Sequence, residues 1–181
     1  VLRAVTEATL EWGRPAADCK GIRILPVINS PAGTIRGDAN RLQQVVWNLL
    51  SNAIKFTPRE GQVQIFLSAM DGYGEVSVSD TGQGIAPEFL PLVFQMFQQQ
   101  ERGTRRTHAG LGIGLALVKQ LIEAHGGTVS VTSGGVDAGT QVTLRFRPVP
   151  SLAEAEGRRR PIPHGLRAPG TRAALRSRGT G

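Results

Sequence analysis

Residues 38–56 read Asp-Ala-Asn-Arg-Leu-Gln-Gln-Val-Val-Trp-Asn-Leu-Leu-Ser-Asn-Ala-Ile-Lys-Phe. From Leu42 the apolar residues are Leu42, Val45, Val46, Leu49, Leu50, Ala53 and Ile54. That spacing predicts a helix of about three turns with one buried face. Asp38 suits its N-cap, and Pro58 with Gly61 stops it. Asn48, Asn52 and Lys55 project from one side, beside the apolar stripe. Amide oxygens are ligands a hard cation accepts, and an ammonium suits phosphate oxygens. The same three residues would equally suit the polar edge of an ordinary helix.

Working outward, residues 1–18 carry Val1, Val5, Ala8 and Trp12 at helical spacing, followed by Gly13 and Pro15. A short helix or helix end and a connector are expected there. Residues 22–28 alternate partly, and Pro26 pushes that strand towards a sheet edge. Ser30 to Gly37 reads as a turn. Val63–Ala69 and Glu75–Ser79, around Asp71-Gly72, read as an antiparallel hairpin. Leu111–His125 is an amphipathic helix ended by Gly126-Gly127. Thr128–Ser133 and Thr140–Phe146 are two further strands. Adjacent strands mixed with intervening helices predict an α/β fold, a two-layer sandwich whose mixed sheet is covered by helices on one face.

Three glycine-bearing stretches flank these elements. Asp80-Thr81-Gly82-Gln83-Gly84-Ile85 follows a strand; its carboxylate suits an exocyclic amine, and its glycines permit close backbone approach. An Asp-initiated turn would look the same. Gly110-Leu111-Gly112-Ile113-Gly114-Leu115 precedes a helix, where free amides and the helix dipole favour an anion. A flexible hinge is the plainer reading. No Gly-Lys-Ser/Thr is present, so a P-loop is excluded, and the βαβ context of a dinucleotide fingerprint is missing. Ala138-Gly139-Thr140 opens the last strand as a turn or a close approach to a ligand. Residues 98–108 are polar and unpatterned, as in a functional loop.

The 181 residues carry a net charge of +7 and one cysteine, Cys19, so no intrachain disulfide forms. A single thiol fits a reducing compartment. Residues 1–150 hold 14 basic and 12 acidic side chains, a net of +2; residues 151–181 hold 7 and 2, a net of +5. The tail has no aromatic residue to stack on bases. It reads as a soluble disordered tail rather than a nucleic-acid contact. No stretch of 18 apolar residues crosses a membrane.

Together these motifs resemble the catalytic ATP-binding domain of bacterial two-component sensor histidine kinases, whose fold gyrase-, MutL- and chaperone-type ATPases share. Asn48–Phe56 looks like the N box of that family, Asp80–Gly84 its first glycine box, Phe94–Phe97 its F box and Gly110–Gly114 its second glycine box. Gly139-Thr140 looks like a further one. The resemblance implies a catalytic domain at 19–148 with an ATP lid at 98–109, preceded by a link at 1–18. The tail, 149–181, falls outside it. It also implies ATP and Mg²⁺ as ligands, with Asn52 on the metal and Asn48 supporting the metal and phosphate site or assisting proton handling. Lys55 would touch phosphate, and Asp80 the adenine amine. Gly82, Gly84, Ile85 and Thr140 would shape the base pocket. Gly110, Gly112 and Gly114 would line the phosphates, with Leu111 in the same nucleotide-binding stretch and Leu115 starting the helix behind them. Arg105, Arg106 and His108 are possible lid contacts.

The sequence departs from the family pattern in places. Ile113 stands where Leu is commoner, and Met96 replaces a frequent Pro. Asn48 sits where the true ATPases carry a catalytic Glu. A neutral amide is a poor base for water, which points to phosphoryl transfer onto a protein. His108, His125 and His164 are the only histidines; none has the setting of the family's phosphoacceptor. The expected partners are therefore a His-containing dimerisation domain of the same, homodimeric parent and a response-regulator receiver domain, with no nucleic acid. The expectation is a fragment starting just after the acceptor domain, cytoplasmic, in a parent either membrane-anchored or soluble. A serine-directed anti-sigma kinase and a non-catalytic nucleotide-binding scaffold are the alternatives.

Overall fold

The computed structural model describes residues 1–29, 37–70, 73–96 and 113–147. A helix, α1 (Leu2–Cys19), leads into strand β1 (Arg23–Ile28) and helix α2 (Ala39–Phe56). Strands β2 (Gln62–Met70) and β3 (Tyr73–Asp80) follow, then a 3-10 turn at Leu90–Leu92. Helix α3 (Gly114–Ala124) and strands β4 (Thr128–Thr132) and β5 (Thr140–Phe146) complete the fold. The compact unit runs from Val1 to Val149. Among the described residues no helix is long and apolar enough to cross a membrane.

The five strands lie in the order β1-β2-β3-β5-β4. β1 pairs parallel with β2; the other pairs are antiparallel, so the sheet is mixed. Period-2 alternation sends Val63, Ile65 and Leu67 of β2, Val76 and Val78 of β3, and Val142, Leu144 and Phe146 of β5 into one core. The apolar faces of the three helices close that core from the same side. This is the expected two-layer α/β sandwich. Pro26 sits on the edge strand, where its missing N–H breaks no ladder bond on the free side.

Residues 1–18 correct the reading from sequence. Instead of a short helix broken at Gly13, α1 runs unbroken to Cys19 with Pro15 inside it. Gly13 is a packing glycine: a Cβ there would lie 2.7 Å from Leu50 Cδ2. Its bare backbone lets α1 approach α2, and Leu2, Val5, Leu10 and Ala17 bury the rest of that face. Pro15 is exposed, so the carbonyl it deprives of a partner faces the solvent side. Tertiary burial has outweighed two local helix breakers. Residues of α1 thus share the core with α2 and the sheet.

Both ends of α2 are tied down. At its start Asp38 Oδ1 accepts from the amides of Asn40 (2.8 Å) and Arg41 (3.3 Å). At its end the Lys20 ammonium donates to the carbonyls of Ile54 (2.8 Å), Lys55 (2.8 Å) and Thr57 (3.1 Å). A cation there meets the negative end of the helix dipole. Burial, and then the nearby Arg59 guanidinium, push the Lys20 pKa down. Lys20→Met is expected to cost about 1–2 kcal/mol of stability, because the carbonyls lose a charged donor. Urea unfolding of the two proteins measures it.

Candidate functional site

The end of the sheet where β3 stops and β5 starts carries the first cluster. Asp80, the last residue of β3, pairs across the ladder with Thr140, the first of β5. The Asp80 carboxylate accepts from the Gly82 amide (2.8 Å) and from the Thr140 amide. Gly82 has no room for a side chain: its Cβ would lie 2.6 Å from both Asp80 Oδ1 and the Phe56 carbonyl. That carbonyl, at the end of α2, also accepts from the Gln83 amide (3.2 Å). The loop bearing Asp80 is therefore fastened to the C-terminus of α2.

Residues 133–139 close the other side of this loop. Gly84, at φ +64°, lies against the Gly135 carbonyl, and Gly139, at φ +71°, against the Asp80 carbonyl. Ser133 joins the two segments: its hydroxyl accepts from the Ile85 amide (3.0 Å) and donates to the Gly139 carbonyl (2.6 Å). Further bonds run from the Gly139 amide to the Gly82 carbonyl (3.1 Å) and from the Asp137 amide to the Gln83 carbonyl (2.7 Å). Sequence reasoning missed Ser133. A lone serine in a glycine-rich turn has no periodicity to expose it.

The second cluster lies where α3 begins. Gly114 is its first residue, and a Cβ on it would lie 3.4 Å from Asn52 Nδ2, 3.9 Å from Asn48 Oδ1 and 4.0 Å from Asn52 Oδ1. The amide side chains of α2 thus face the start of α3, whose first-turn N–H groups lack intrahelical partners. Leu115 is half-buried against the core. Lys55 Nζ lies 4.8 Å from the centroid of the Phe56 ring. Phe94, of the expected F box, lies under Lys119 of α3, 5.9 Å from Nζ to ring centroid. Gly110, Leu111, Gly112, Phe97, the expected lid at 98–109 and the basic tail lie outside the described residues.

The two clusters share one helix. Phe56, which holds the Asp80 loop, is four residues past Asn52, about 6 Å along the axis. One helix therefore connects a carboxylate with its glycine-bearing loop to a pair of amides facing a helix N-terminus. Among the described residues no group of three His, Cys, Asp or Glu could hold a metal ion.

Residues 37–150 match the model of the histidine kinase-, DNA gyrase B- and HSP90-like ATPase family. The chain belongs to that family. The matched segment is an ATP-binding catalytic domain of the sensor histidine kinase type. It is 39% identical over 146 residues to the histidine protein kinase DivJ of Caulobacter vibrioides, covering 80% of this chain and 24% of DivJ. The chain therefore spans about a quarter of that relative. The mycobacterial sensor histidine kinase MprB superposes with a TM-score of 0.71 at 30% identity, over 81% of this chain and 97% of that one. Full-length ShkA in complex with AMPPNP gives 0.70 at 35% identity, over 81% and 30% of the two chains.

In this ATPase domain burial raises the Asp80 pKa above its ordinary value, and the Gly82 and Thr140 amides offset part of that. The folded state then holds the proton more tightly than the unfolded chain. Any stability linked to this group is greatest at low pH and is lost as pH rises through the raised value. Asp80→Asn in the nucleotide-free domain should therefore raise the melting temperature at pH 7. Near pH 3, where both states are protonated, it should bring no comparable gain. Thermal unfolding at the two pH values checks the sign.

Proposed function

We propose that this domain takes ATP with Mg²⁺ and passes the γ-phosphoryl group to a histidine on a separate dimerisation domain of the parent protein. The observation that carries this reading is that the side-chain amides of Asn48 and Asn52 come within about one side-chain atom's reach of Gly114, at the start of α3. It sets neutral oxygen ligands beside an anion-binding helix end. The AMPPNP bound to ShkA, a similar chain, supports the same occupant here.

The two amide oxygens suit a hard cation, and the lack of a described acidic cluster suits one that arrives with the phosphates rather than a resident metal. When bound, Mg²⁺ neutralises charge on the β- and γ-phosphate oxygens. Asn52 would ligate it, Asn48 would support the same site and Lys55 would meet phosphate. Asp80 would accept from the adenine amine, within walls made by Gly82, Gly84, Ile85 and Thr140. Gly110, Leu111, Gly112, Gly114 and Leu115 would line the phosphates. The first-turn amides of α3 would offset phosphate charge as it shifts. A neutral imidazole nitrogen attacks the γ-phosphorus in line; the N–P bond forms, the bridging P–O bond breaks and ADP leaves. Positioning and charge stabilisation supply most of the acceleration. A receiver domain would then take the phosphoryl group, and the parent would be a homodimer.

Incubation with ATP–Mg²⁺ and a His-containing hairpin tests the transfer. Acid-labile phosphate on the hairpin is expected. Acid-stable phosphate on a serine would move the reading to a serine-directed kinase, and nucleotide binding without any transfer would leave a regulatory module.

A further inference from the structure

We infer that His125 is a positioning residue for the proposed nucleotide site, acting as a clamp between α2 and α3 at the end of the helix pair away from the phosphates. The inference rests on the nucleotide reading for its functional consequence, but not for its geometry.

His125 follows the last residue of α3. Its Nδ1 lies 2.6 Å from the Leu121 carbonyl, and its Nε2 lies 3.2 Å from the Asp38 amide nitrogen. A carbonyl only accepts and an amide N–H only donates, so the two contacts are jointly satisfied by one form of the ring: neutral, with the proton on Nδ1. The ring also fills the space where Gly37 has no side chain; a Cβ there would lie 2.8 Å from His125 Cδ2. One imidazole therefore joins the C-terminus of α3 to the residue that caps α2, since Asp38 Oδ1 holds the first turn of α2 while its N–H holds His125.

The consequence follows from the direction of the helices. The start of α2 meets the end of α3 at His125, and the start of α3 meets α2 at Asn48 and Asn52. The helices are antiparallel; besides the apolar packing of Val118 and Ile122 on the core, these two polar contacts lie at opposite ends of α3, eleven residues or about 16 Å apart. Apolar packing holds α3 on the core but is not directional; the hydrogen bond from the Asp38 amide at the far end fixes its angle. A tilt of a few degrees about the clamp shifts the phosphate end by roughly 1 Å, and a misplacement of that size costs up to about a hundredfold in rate. His125 touches neither nucleotide nor acceptor, so it is not catalytic.

Two measurements test this. In the wild-type domain, without nucleotide, ¹⁵N spectra of the imidazole should show the neutral Nδ1–H form, with a scalar coupling across the hydrogen bond from the Asp38 amide to Nε2. The other tautomer, or no coupling, would overturn the clamp whether or not any variant folds. Next, His125→Leu removes both contacts, whereas His125→Gln keeps an acceptor near the Nε2 position. The leucine variant should move the Gly114 amide and Asn52 side-chain resonances and weaken binding of a non-hydrolysable ATP analogue about tenfold. The glutamine variant should recover most of that. Unmoved Gly114 and Asn52 signals in a folded leucine variant, or glutamine no better than leucine, would refute the positioning role. Wild-type protein that binds no nucleotide would instead sink the proposed function, and the resonance test would still stand.

Discussion

Asn52→Ala is expected to weaken ATP–Mg²⁺ binding by at least about tenfold and to remove most of the difference between binding with and without Mg²⁺. The magnitude follows from metal sites in general, where losing even a supporting hydrogen bond costs about 10- to 100-fold. The Asn52 amide faces the start of α3, and on the proposed reading its oxygen is the side-chain ligand the cation would lose. The fold should not suffer, because alanine is the better helix former by roughly 0.5 kcal/mol and Asn52 is only half-buried. Calorimetric titration with and without Mg²⁺, beside thermal unfolding, separates the two effects. A variant that binds ATP–Mg²⁺ as tightly as the parent protein would remove Asn52 from the site.

Gly84→Ala should be the most damaging single change at the Asp80 end of the proposed nucleotide site, costing about 3–4 kcal/mol of stability and at least tenfold in nucleotide affinity. Two costs add there. Gly84 sits at φ +64°, which disfavours any side chain by about 1–2 kcal/mol. Its new Cβ would also overlap the Gly135 carbonyl, which is backbone and cannot rotate aside. Residues 133–139 would have to retreat, and Ser133 with the Gly82–Gly139 bond would carry the start of β5 away from Asp80. Gly21→Ala is the matched control. It has nearly the same angle, φ +65°, but its nearest neighbour would be Glu60 Cγ at 3.7 Å, an ordinary contact. About 1 kcal/mol, with nucleotide binding intact, is expected for it. Equal losses in the two variants would mean that backbone angle, not the packed loop, sets the cost.

What could be read from the sequence was local and periodic. The Leu42–Ile54 stripe of α2, the hairpin of β2 and β3, the strands β4 and β5 and the edge position of β1 all lie as expected. Each depends on a residue's neighbours in the chain, and Asp80 with its glycines could be recognised for the same reason. Residues whose roles depend on distant parts of the chain were invisible. Gly13 reads as a helix breaker until Leu50 is beside it. Lys20 looks like a surface lysine until the end of α2 folds over it. Ser133 and His125 have no signal at all without their partners across the fold. His125 lacks the sequence setting of a phosphate acceptor, and its contacts with the Leu121 carbonyl and the Asp38 amide tie the end of α3 to the start of α2.

The central claim is that one nucleotide occupies both clusters at once. Titrating the ¹⁵N-labelled domain with a non-hydrolysable ATP analogue and Mg²⁺, while following the Gly82 and Thr140 amides together with Gly114 and the Asn52 side chain, tests it most directly. All four signals should move along saturation curves with a single dissociation constant and one equivalent of ligand. Curves with different constants at the two ends, or movement at one end only, would contradict a shared site.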